Sequence, residues 1–513
     1  MPGLVDKSLF RNAVLRARAA SRPFGALTAP TRLLSGQAQA EAQRLNRPSV
    51  RPALFACLLQ LADLLVVALA GFLVLGLMPL TPLGEPMHLT VWTGAVLVVA
   101  STRLLGAYRF RRMRALGPGL ALMWAGLALG FATLIAGMWL AGWVHPGLGW
   151  AIAAWWGTAN LGMTAGRVLA WGRIRYLTKT GRMEHRIVLV GGTDDLAPLI
   201  REIEREKKRG RRLCGFFDER RGARSPAVVA GHHKMGDLDD LIGFVRAAHI
   251  DTVIVAIPAI SHRRLMELTV RLFVLPVDIR VLADADIPEF ARNKRSRIGA
   301  FRMIDLYKRP IHGWDAVRKR VFDIVLSVLA IIAFAPVMAG VALAIRLESP
   351  GPVLFRQRRH GFNNRPIEVL KFRSMYTDRC DPSAVKAVRR NDDRVTRVGR
   401  FIRRSSLDEL PQFFNVLRGD LSLVGPRPHA TAARTGDLVY DAVTEAYSAR
   451  HKVRPGVTGW AQINGWRGEM DTPAKIRARV EFDLHYIENW SLWFDLKILA
   501  LTPFSLITTK NAY

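Results

Sequence analysis

Residues 403–412 read RRSSLDELPQ, and residues 419–428 continue this stretch as GDLSLVGPRP. Two adjacent carboxylates, Asp408 and Glu409, therefore lie in a basic neighbourhood just before glycine and proline turns. Adjacent side chains diverge by about 100° on a helix, so one carboxylate can face a substrate while the other turns to a metal or a structural partner. Arg403 and Arg427 carry planar guanidinium groups that suit phosphate. This combination favours phosphoryl transfer, although an isolated Asp-Glu pair is more often a solvated helix face.

Further motifs flank this stretch in a fixed order. SPGPVLFRQ at 349–357 and KFRSM at 371–375 lie upstream, and RPGVTGWAQING at 454–465 lies downstream. Together they closely resemble the signature of the bacterial polyprenyl-phosphate sugar-1-phosphate transferases, the monotopic phosphoglycosyl transferases that begin exopolysaccharide, capsule and O-antigen assembly. The resemblance covers about residues 315–513, and several motifs in one order are far more specific than any single motif.

The resemblance implies a reaction and a set of site residues. The substrates would be a UDP-sugar and a polyprenyl phosphate such as undecaprenyl phosphate, with UMP as a product and glucose preferred over galactose as the sugar. Asp408 would be the nucleophile, Glu409 would help to hold Mg²⁺ beside it, and Arg403 and Arg427 would contact phosphate. Weaker candidates for shaping the pocket or binding the nucleotide are Lys371, Arg373, Asp420, Gln462 and Asp483.

The composition independently indicates a membrane protein. Half of the 513 residues are hydrophobic and the mean hydropathy is +0.13, which is too apolar for an ordinary soluble enzyme. The formal net charge of +32 favours anionic lipid, phosphorylated substrates or nucleic acid as partners. The three cysteines form no CxxC pair, and the histidines show no metal-ligand spacing, so the sequence predicts neither a disulfide framework nor a zinc site.

In the first half of the chain, the pattern of charged and apolar residues predicts a basic tail at 1–52 and a transmembrane bundle of four helices at 53–172. The tail is interpreted as cytoplasmic, although an amphipathic targeting peptide is an alternative. Apolar stretches long enough to cross a bilayer lie at about 53–80, 88–107, 117–141 and 148–170. Basic residues concentrate between the second and third stretches and after the fourth, which places both ends of the bundle in the cytoplasm. Asp63 in the first stretch is either functional or bonded to a neighbouring helix.

Residues 183–308 predict a Rossmann-like α/β domain, because short apolar strands alternate with helical segments. The expected strands lie at about 185–190, 213–218, 251–257 and 277–282, and the expected helices at 196–208 and 261–273. The turn GGTDDL at 191–196 is not GxGxxG, and its two aspartates would repel a pyrophosphate. An accessory domain without a bound dinucleotide is therefore the preferred interpretation.

Residues 309–513 are predicted to form an α/β catalytic domain that begins with a re-entrant membrane helix at 317–346. Its apolar run, 321–344, is long enough to span, but Pro336 lies inside it and removes one backbone hydrogen bond. Basic residues flank both ends, which favours entry and exit on the cytoplasmic side, whereas a kinked spanning helix would export the carboxylates. The resembled family has such a helix, often broken at Ser-Pro, where this chain has Ala335-Pro336.

The basic surface and the last apolar segment extend the membrane prediction. Residues 350–440 are dense in arginine and lysine, which suits anionic lipid at about 1 kcal/mol per basic residue, although a solvated surface is the alternative. Nucleic acid is not expected as a partner, because the sequence has no recognisable nucleic-acid motif. Residues 487–508 suit an interfacial helix or ordinary core packing.

Three function classes remain open at this stage. A sugar-1-phosphate transferase of the bacterial inner (cytoplasmic) membrane, with its active site facing the cytoplasm, is preferred. A Mg²⁺-dependent hydrolase of lipid diphosphates would share the carboxylates and arginines but use water, and a non-catalytic, nucleotide-sensing scaffold would have no need of Asp408 and Glu409. The sequence leaves a homo-oligomer open and does not identify the polysaccharide.

Overall fold

The computed structural model describes most of the chain from residue 34 to residue 508. The described ranges are 34–45, 52–77, 87–143, 148–206, 210–220, 225–257, 262–282, 295–377, 392–429, 434–435, 438–439, 447–467 and 472–508. Most of the predicted tail, parts of the loops of the helical bundle, and arginines such as Arg389 and Arg390 lie outside these ranges. Contacts divide the chain into two units, one spanning Arg47–Glu184 and the other comprising Met1–Asn46 and His185–Tyr513.

The first of these units is a bundle of long apolar helices. After a helix α1 at Gly36–Leu45, which belongs to the other unit, the bundle contains α2 (Pro52–Leu77), α3 (Met87–Leu104), the short α4 (Phe110–Met113), α5 (Leu116–Leu140) and α6 (Leu148–Lys179). By length and apolarity α2, α3 and α5 could each cross a membrane. The fourth predicted span, α6, is longer, carries several basic residues toward its C-terminal end, and is not among the described helices that meet the same criterion. These helices fit a membrane protein with N-terminal helices.

Small residues bring α3 and α5 into close contact. A Cβ added at Gly130 would lie 2.6 Å from the Cα of Val98, and one at Gly126 would lie 2.6 Å from the Cα of Thr102. The two glycines are four residues apart and therefore share one face of α5, the small-xxx-small arrangement that lets membrane helices approach closely. The glycines of α5 thus explain why this pair packs so tightly.

Asp63 of α2 is bonded to its neighbours inside the bundle. The Tyr108 hydroxyl donates to Asp63 Oδ2 at 2.7 Å, and Arg167 Nη2 of α6 donates to the same oxygen at 2.9 Å. Asp63 and Arg167 are both buried. Of the two interpretations of this acid, the structure shows the bond to a neighbouring helix.

The second unit begins with an eight-stranded α/β sheet. In chain order its elements are β1 (His185–Val190), α7 (Ala197–Arg205), β2 (Arg211–Phe217), β3 (Val228–Val229), β4 (His232–Gly236), α8 (Leu238–Ala248), β5 (Thr252–Val255), α9 (His262–Leu272), β6 (Asp278–Leu282), β7 (Arg295–Ile298) and β8 (Phe301–Tyr307). The strand order is β3-β4-β2-β1-β5-β6-β8-β7. The strands β4, β2, β1, β5 and β6 pair in parallel, as predicted, and the outer strands β3, β8 and β7 pair antiparallel.

Helices cover both faces of this sheet. In β1, Ile187 and Leu189 pack with α7, whereas Val188 and Val190 pack with α8 and α9. This alternation follows from the two-residue period of a strand. The described part of the predicted tail, α1, also packs on the second face through Ala38, Ala42 and Leu45. The sheet therefore has two hydrophobic cores, one on each face.

The remaining elements build the C-terminal part of this unit. They are α10 (Gly313–Glu348), β9 (Leu354–His360), β10 (Pro366–Phe372), α11 (Arg397–Arg404), α12 (Gln412–Arg418), β11 (Ser422–Val424), β12 (Arg434–Thr435), β13 (Leu438–Val439), β14 (Gly456–Thr458), α13 (Trp460–Ile463), α14 (Pro473–Glu488) and α15 (Leu492–Thr508). β9 and β10 form an antiparallel hairpin, and β11 pairs in parallel with β14.

The helix α10 is continuous through Pro336 and exposes a long apolar surface. Only 11% of its most apolar 18-residue stretch is buried, and the side chains of Ile332, Leu343 and Leu347 are more than half exposed. By length and apolarity it could cross a membrane. Exposed apolar surface on this scale is typical of a lipid-facing helix. Pro336 removes one backbone hydrogen bond inside this helix and is the position at which a bend is expected.

A buried ionic network anchors α10 to the rest of the C-terminal part. Lys319 Nζ lies 3.0 Å from Asp323 Oδ1 and 2.9 Å from Asp495 Oδ2 of α15. Asp323 also accepts hydrogen bonds from the Ser422 hydroxyl and the Leu423 amide of β11. All of these side chains are buried, so separating one partner would leave an uncompensated charge. The start of α10 is therefore fixed to the strand that leads into the GPRP turn.

Candidate active site

The carboxylate pair lies on a tight turn between two short helices. The Thr396 hydroxyl caps the start of α11 by accepting from the Gly399 amide at 2.9 Å, and α11 ends before Ser406. Ser406 takes φ 59°, a left-handed conformation that costs a non-glycine residue about 1 kcal/mol. This reversal leads into a 3₁₀ turn at Leu407–Glu409, which directs both carboxylates inward. Their side chains are only 13% and 11% exposed.

Glu409 is held by a ring of cations. Its Oε1 accepts from Arg427 Nη2 at 2.6 Å and from Lys371 Nζ at 2.9 Å, while its Oε2 accepts from Arg427 Nη1 at 3.2 Å. Arg467 Nη2 lies 4.0 Å from Oε2 and also donates to the Ser406 hydroxyl at 2.8 Å. The bidentate arginine fixes both the position and the charge of Glu409.

Asp408 has a different environment. Lys371 Nζ lies 3.5 Å from its Oδ2, and among the described residues this carboxylate accepts no hydrogen bond. Burial raises the pKa of Asp408 above its ordinary value, although Lys371 opposes the shift. Burial acts in the same direction on Glu409, but Arg427 and Lys371 outweigh it and hold the pKa of Glu409 well below its ordinary value. The two adjacent carboxylates thus differ: both oxygens of Glu409 accept hydrogen bonds, whereas Asp408 accepts none from the described residues.

The strands explain how Lys371 and Arg427 reach this pair. Lys371 lies in β10, which the hairpin with β9 holds in register. Arg427 follows β11, and the end of β11 lies so close to β14 that a Cβ at Gly425 would be 2.5 Å from the Arg454 carbonyl. Glycine is therefore required where the chain turns toward Arg427. Lys371 therefore lies within a strand, whereas Arg427 lies in the turn that directly follows one.

The other sequence-predicted residues lie at varying distances from the pair. Arg403, in the last turn of α11, is half-buried, and its charge opposes the raised pKa of Asp408. Arg373 is turned away from the carboxylates, donating to the Ser349 carbonyl at 2.7 Å and to its hydroxyl at 2.9 Å. Asp420 lies 3.4 Å from Asn415 Nδ2. The structure therefore groups Arg403, but not Arg373 or Asp420, with the pair.

Gln462 and Asp483 form their hydrogen bonds with residues other than the carboxylate pair. Gln462 Nε2 donates weakly to the Val457 carbonyl at 3.4 Å, and its buried Oε1 has no hydrogen-bond partner within the described residues. Asp483 Oδ2 accepts from Arg450 Nε at 2.7 Å, and Arg450 Nη2 donates to the Arg427 carbonyl at 3.0 Å. Asp483 therefore connects to the site through Arg450 and the backbone of Arg427. The roles assigned to these residues remain predictions.

Two site arginines were not identified from the sequence. Arg467 contacts the Ser406 turn and approaches Glu409, as described above. Arg359 of β9 donates to the Pro428 carbonyl at 2.6 Å, and burial together with the charge of Arg427 lowers its pKa to about 10. The carboxylates Glu409 and Asp408 act on Arg359 in the opposite sense. Arg467 follows the motif at 454–465 by two residues, which is the signal that could have identified it.

Asp408 and Glu409 are the two side chains of the site that could act as ligands of a hard cation. Within the described part of the chain, no cluster of three or more histidine, cysteine or carboxylate side chains is suited to a metal. Mg²⁺ is nevertheless often held by one or two carboxylates together with substrate phosphates. The Lys371 ammonium, at 2.9 Å from Glu409 and 3.5 Å from Asp408, shows that both carboxylates converge on one cationic point. The donor set of Asp408 and Glu409 is therefore compatible with Mg²⁺ when a phosphate supplies further oxygens.

Comparisons with known proteins match two segments of the chain. A family model described as "Bacterial sugar transferase" matches residues 314–509, which include α10 and the carboxylate pair. A model described as "CoA-binding domain" matches residues 103–283, which include α4, α5 and α6 of the helical bundle and the strands β1 to β6.

Several relatives align with a large part of the chain. The undecaprenyl-phosphate glucose phosphotransferase of Komagataeibacter xylinus is 43% identical over 66% of this chain and 62% of its own length. The UDP-glucose:undecaprenyl-phosphate glucose-1-phosphate transferase of Escherichia coli K12 is 45% identical over 54% of this chain and 59% of its own. The enzyme of that name in Xanthomonas campestris pv. campestris is 34% identical over 71% of this chain and 75% of its own. The chain thus spans about 60% of the length of the first two relatives.

Proposed function

Since this chain belongs to the bacterial sugar transferase family, we propose that it transfers glucose 1-phosphate from UDP-glucose to undecaprenyl phosphate, releasing UMP. The observation that carries the proposal is the difference in hydrogen bonding between the two carboxylates. Glu409 is bonded to Arg427 and Lys371, whereas Asp408 accepts no hydrogen bond from the described residues. A buried nucleophile beside fixed cations suits phosphoryl transfer, where positioning and charge stabilisation supply most of the catalysis.

The proposed reaction has two displacement steps at phosphorus. In the first, an Asp408 oxygen attacks the phosphorus that bears glucose, the bond to the bridging oxygen breaks, and UMP leaves with that oxygen. In the second, an oxygen of undecaprenyl phosphate attacks the same phosphorus and displaces Asp408 as a carboxylate. The product is undecaprenyl-diphosphate glucose. Arg427, Lys371 and Arg403 would stabilise the charge that develops on the phosphoryl oxygens.

Mg²⁺ is the proposed cofactor, with Asp408 and Glu409 as the residues that would hold it. When bound, it would neutralise part of the diphosphate charge. Glu409 is already oriented by Arg427 and Lys371, so this chain supplies a preformed carboxylate rather than a mobile one. We expect chelation by EDTA to abolish UMP release, and added Mg²⁺ to restore it.

A panel of UDP-sugars tests the function directly. Purified protein, undecaprenyl phosphate and Mg²⁺ are combined with UDP-glucose, UDP-galactose or other UDP-sugars, and the release of UMP and the lipid product are measured. We expect the fastest release with UDP-glucose and a glucosyl-diphosphate lipid as the product. Preference for UDP-galactose would support the alternative sugar. Consumption of lipid diphosphate by water would indicate a hydrolase, and no turnover with any sugar would leave the nucleotide-sensing scaffold.

The two-step route predicts a trapped intermediate. When UDP-glucose labelled in the sugar is supplied without lipid, the label should stay on the protein, and release of UMP should reach one equivalent. Initial rates with both substrates should show ping-pong kinetics. A ternary-complex pattern together with unlabelled protein would contradict the intermediate.

We further propose that the protein lies in the bacterial inner membrane with its active site on the cytoplasmic side, where nucleotide sugars are found. In this arrangement α10 is re-entrant, and both of its ends lie at the anionic headgroups. Lys319 and Arg320 near one end and Arg346 near the other support this, because basic residues favour the cytoplasmic face. The bend that re-entry requires would lie at Pro336, where the backbone donor to Ile332 is missing.

Cysteine accessibility tests this topology. In a background in which Cys57, Cys214 and Cys380 are replaced by serine, Leu347→Cys is treated with an impermeant thiol reagent in intact spheroplasts. Leu347 is 77% exposed. We expect labelling only after lysis. The control Ala141→Cys follows α5, between the third and fourth predicted spans, which the cytoplasmic placement of both bundle ends puts outside, and it should react before lysis. Labelling of Leu347→Cys in intact spheroplasts would mean that α10 spans the membrane.

A further inference from the structure

A buried lysine lies where the α/β sheet meets the catalytic part. Lys452 is the last residue of the 3₁₀ turn Tyr447–Lys452, called here the docking turn, and it is 2% exposed. Its Nζ has no hydrogen-bond partner within the described residues. Burial lowers the pKa of Lys452, and two features favour the charged form instead: the charge of Glu488 and the aromatic ring faces described next. Burying an ammonium group is costly, so its position needs a physical explanation.

Two aromatic rings from the sheet domain enclose this ammonium group. The Lys452 Nζ lies 3.1 Å from the centroid of the Phe273 ring and 3.9 Å from that of Tyr307. Phe273 directly follows α9, and Tyr307 ends β8. The rings pack edge to face, with centroids 5.2 Å apart and an interplanar angle of 74°. Ring faces attract cations most strongly where water is excluded, so this pocket holds the end of the docking turn in one place.

The same turn holds the backbone of the active-site arginine. Arg450, two residues before Lys452, is 1% exposed and donates to Asp483 Oδ2 at 2.7 Å and to the Arg427 carbonyl at 3.0 Å. Arg427 in turn binds both oxygens of Glu409. Four residues therefore form an unbroken path from the sheet domain to the carboxylate pair, namely Phe273, Lys452, Arg450 and Arg427.

A second set of contacts seats the same side of the catalytic part on the sheet domain. Arg365 Nη2 donates to the Arg246 carbonyl of α8 at 3.0 Å and lies 3.1 Å from His249 Nε2. Within the catalytic part, the His451 ring, on the docking turn, bonds to the Asn364 amide. The docking turn is therefore supported from two directions and does not rest on the aromatic pocket alone.

We propose that Lys452 is a positioning residue, through which the sheet domain fixes the backbone of Arg427 and thereby the guanidinium that holds Glu409. This inference rests on the proposed function, because it assigns the sheet domain a role in that reaction. Lys452 touches neither substrate nor reacting atoms in this proposal. The sheet domain thus acts as a mechanical support of the catalytic site, independent of any ligand that it binds.

Loss of the pocket should affect turnover more than substrate binding. Arg427 remains in the chain and can still contact phosphate, but its alignment with Glu409 becomes looser. Misplacement of a catalytic group by about 1 Å can cost up to ~100-fold in rate, and an indirect effect should be smaller, about tenfold. The Michaelis constant for UDP-glucose should stay within about twofold, since the phosphate-binding groups are unchanged.

Two variants and a matched control test this in the full-length protein. Lys452→Met keeps the length of the side chain but removes the charge, and Phe273→Leu removes one ring but keeps apolar volume. Tyr307→Phe keeps both ring faces and loses only a hydroxyl group. We expect kcat to fall about tenfold in the first two, with KM little changed, and wild-type kinetics in Tyr307→Phe. Wild-type kcat in both Lys452→Met and Phe273→Leu would overturn the proposal.

Hydrogen exchange gives a readout that needs no activity. In Lys452→Met and Phe273→Leu, peptides covering 447–452 and 425–429 should exchange faster than in the wild type, while the peptide covering β1 should be unchanged. Faster exchange throughout, including β1, would mean that the pocket only supports the fold and would overturn the proposal. A wild-type protein that is inactive with every UDP-sugar would refute the proposed function instead, and the exchange pattern would still decide this inference.

Discussion

Asp408→Asn is expected to lower UMP release to below a few per cent of the wild-type rate, because an amide cannot form the phosphoryl ester. Removing a nucleophile can cost as much as ~10⁶-fold in kcat, so this loss should be complete in practice. The variant should also fail to retain label from UDP-glucose. The measurement is UMP release by purified protein at saturating UDP-glucose, undecaprenyl phosphate and Mg²⁺.

The same variant should not lose thermal stability. Burial raises the pKa of Asp408, so the folded state binds a proton more readily than the unfolded state. A carboxyl group whose pKa is raised by folding lowers the stability of the folded state as the pH rises above the pKa of that group in the unfolded chain. An amide does not ionise, so Asp408→Asn removes this effect. We therefore expect the melting temperature of Asp408→Asn at neutral pH to equal or exceed that of the wild type. The difference should shrink as the pH falls.

An exposed acid provides the control. Asp315, in the first turn of α10, is 36% exposed and pairs with Arg318. Asp315→Asn makes the same chemical change outside the site and should leave turnover near the wild-type rate. If Asp408→Asn retains more than a few per cent of activity while folding normally, another residue is the nucleophile.

The sequence identified the carboxylate pair but not its geometry. A helical divergence was expected for Asp408 and Glu409, whereas the structure has a 3₁₀ turn that follows the positive φ of Ser406. Both side chains point inward, and both meet Lys371. The two carboxylates meet at Lys371 because the β9–β10 hairpin places this lysine there. The hairpin is distant in sequence from residue 408, so no local sequence pattern indicates the contact.

The motif KFRSM shows why neighbouring candidates differ. Lys371 and Arg373 are two residues apart, which would place them on one face of a continuous strand. However, β10 ends at Phe372, so Arg373 lies beyond the strand and binds the Ser349 residue that follows α10. The motif therefore predicted both Lys371 and Arg373 as site residues, and only the position at which the strand ends explains why Arg373 does not reach the carboxylates.

The parallel strands were predictable because they are short apolar runs, but the β7–β8 hairpin was missed. Arginines interrupt both of its strands, at Arg295, Arg297 and Arg302, which hides the alternation of buried side chains. The two-residue connection at 299–300, in which Gly299 takes φ +54°, is the available signal. Tyr307, at the end of this hairpin, is one wall of the pocket around Lys452, so this omission also concealed the docking turn.

Arg427→Met is expected to cause the second large effect, a loss of both activity and stability. Glu409 would keep Lys371 but lose its bidentate partner, and breaking a buried ion pair typically costs ~3–5 kcal/mol. The pKa of Glu409 is held well below its ordinary value, so the residue is ionised at neutral pH and the loss applies fully there. We expect UMP release to fall by at least ~100-fold, as for other groups that stabilise a transition-state charge.

Three further variants distinguish the effect of losing the Arg427–Glu409 ion pair from the effect of losing either charge alone. Arg427→Lys should recover part of the stability but little activity, because an ammonium group cannot bind a carboxylate in the bidentate geometry. The double variant Arg427→Met/Glu409→Gln should melt at a higher temperature than Arg427→Met alone, since no uncompensated charge stays buried, yet it should remain inactive. Arg418→Met makes the same substitution at a side chain that is 65% exposed and should change neither property. Equal melting temperatures for Arg427→Met and the wild type would show that Glu409 does not depend on this guanidinium.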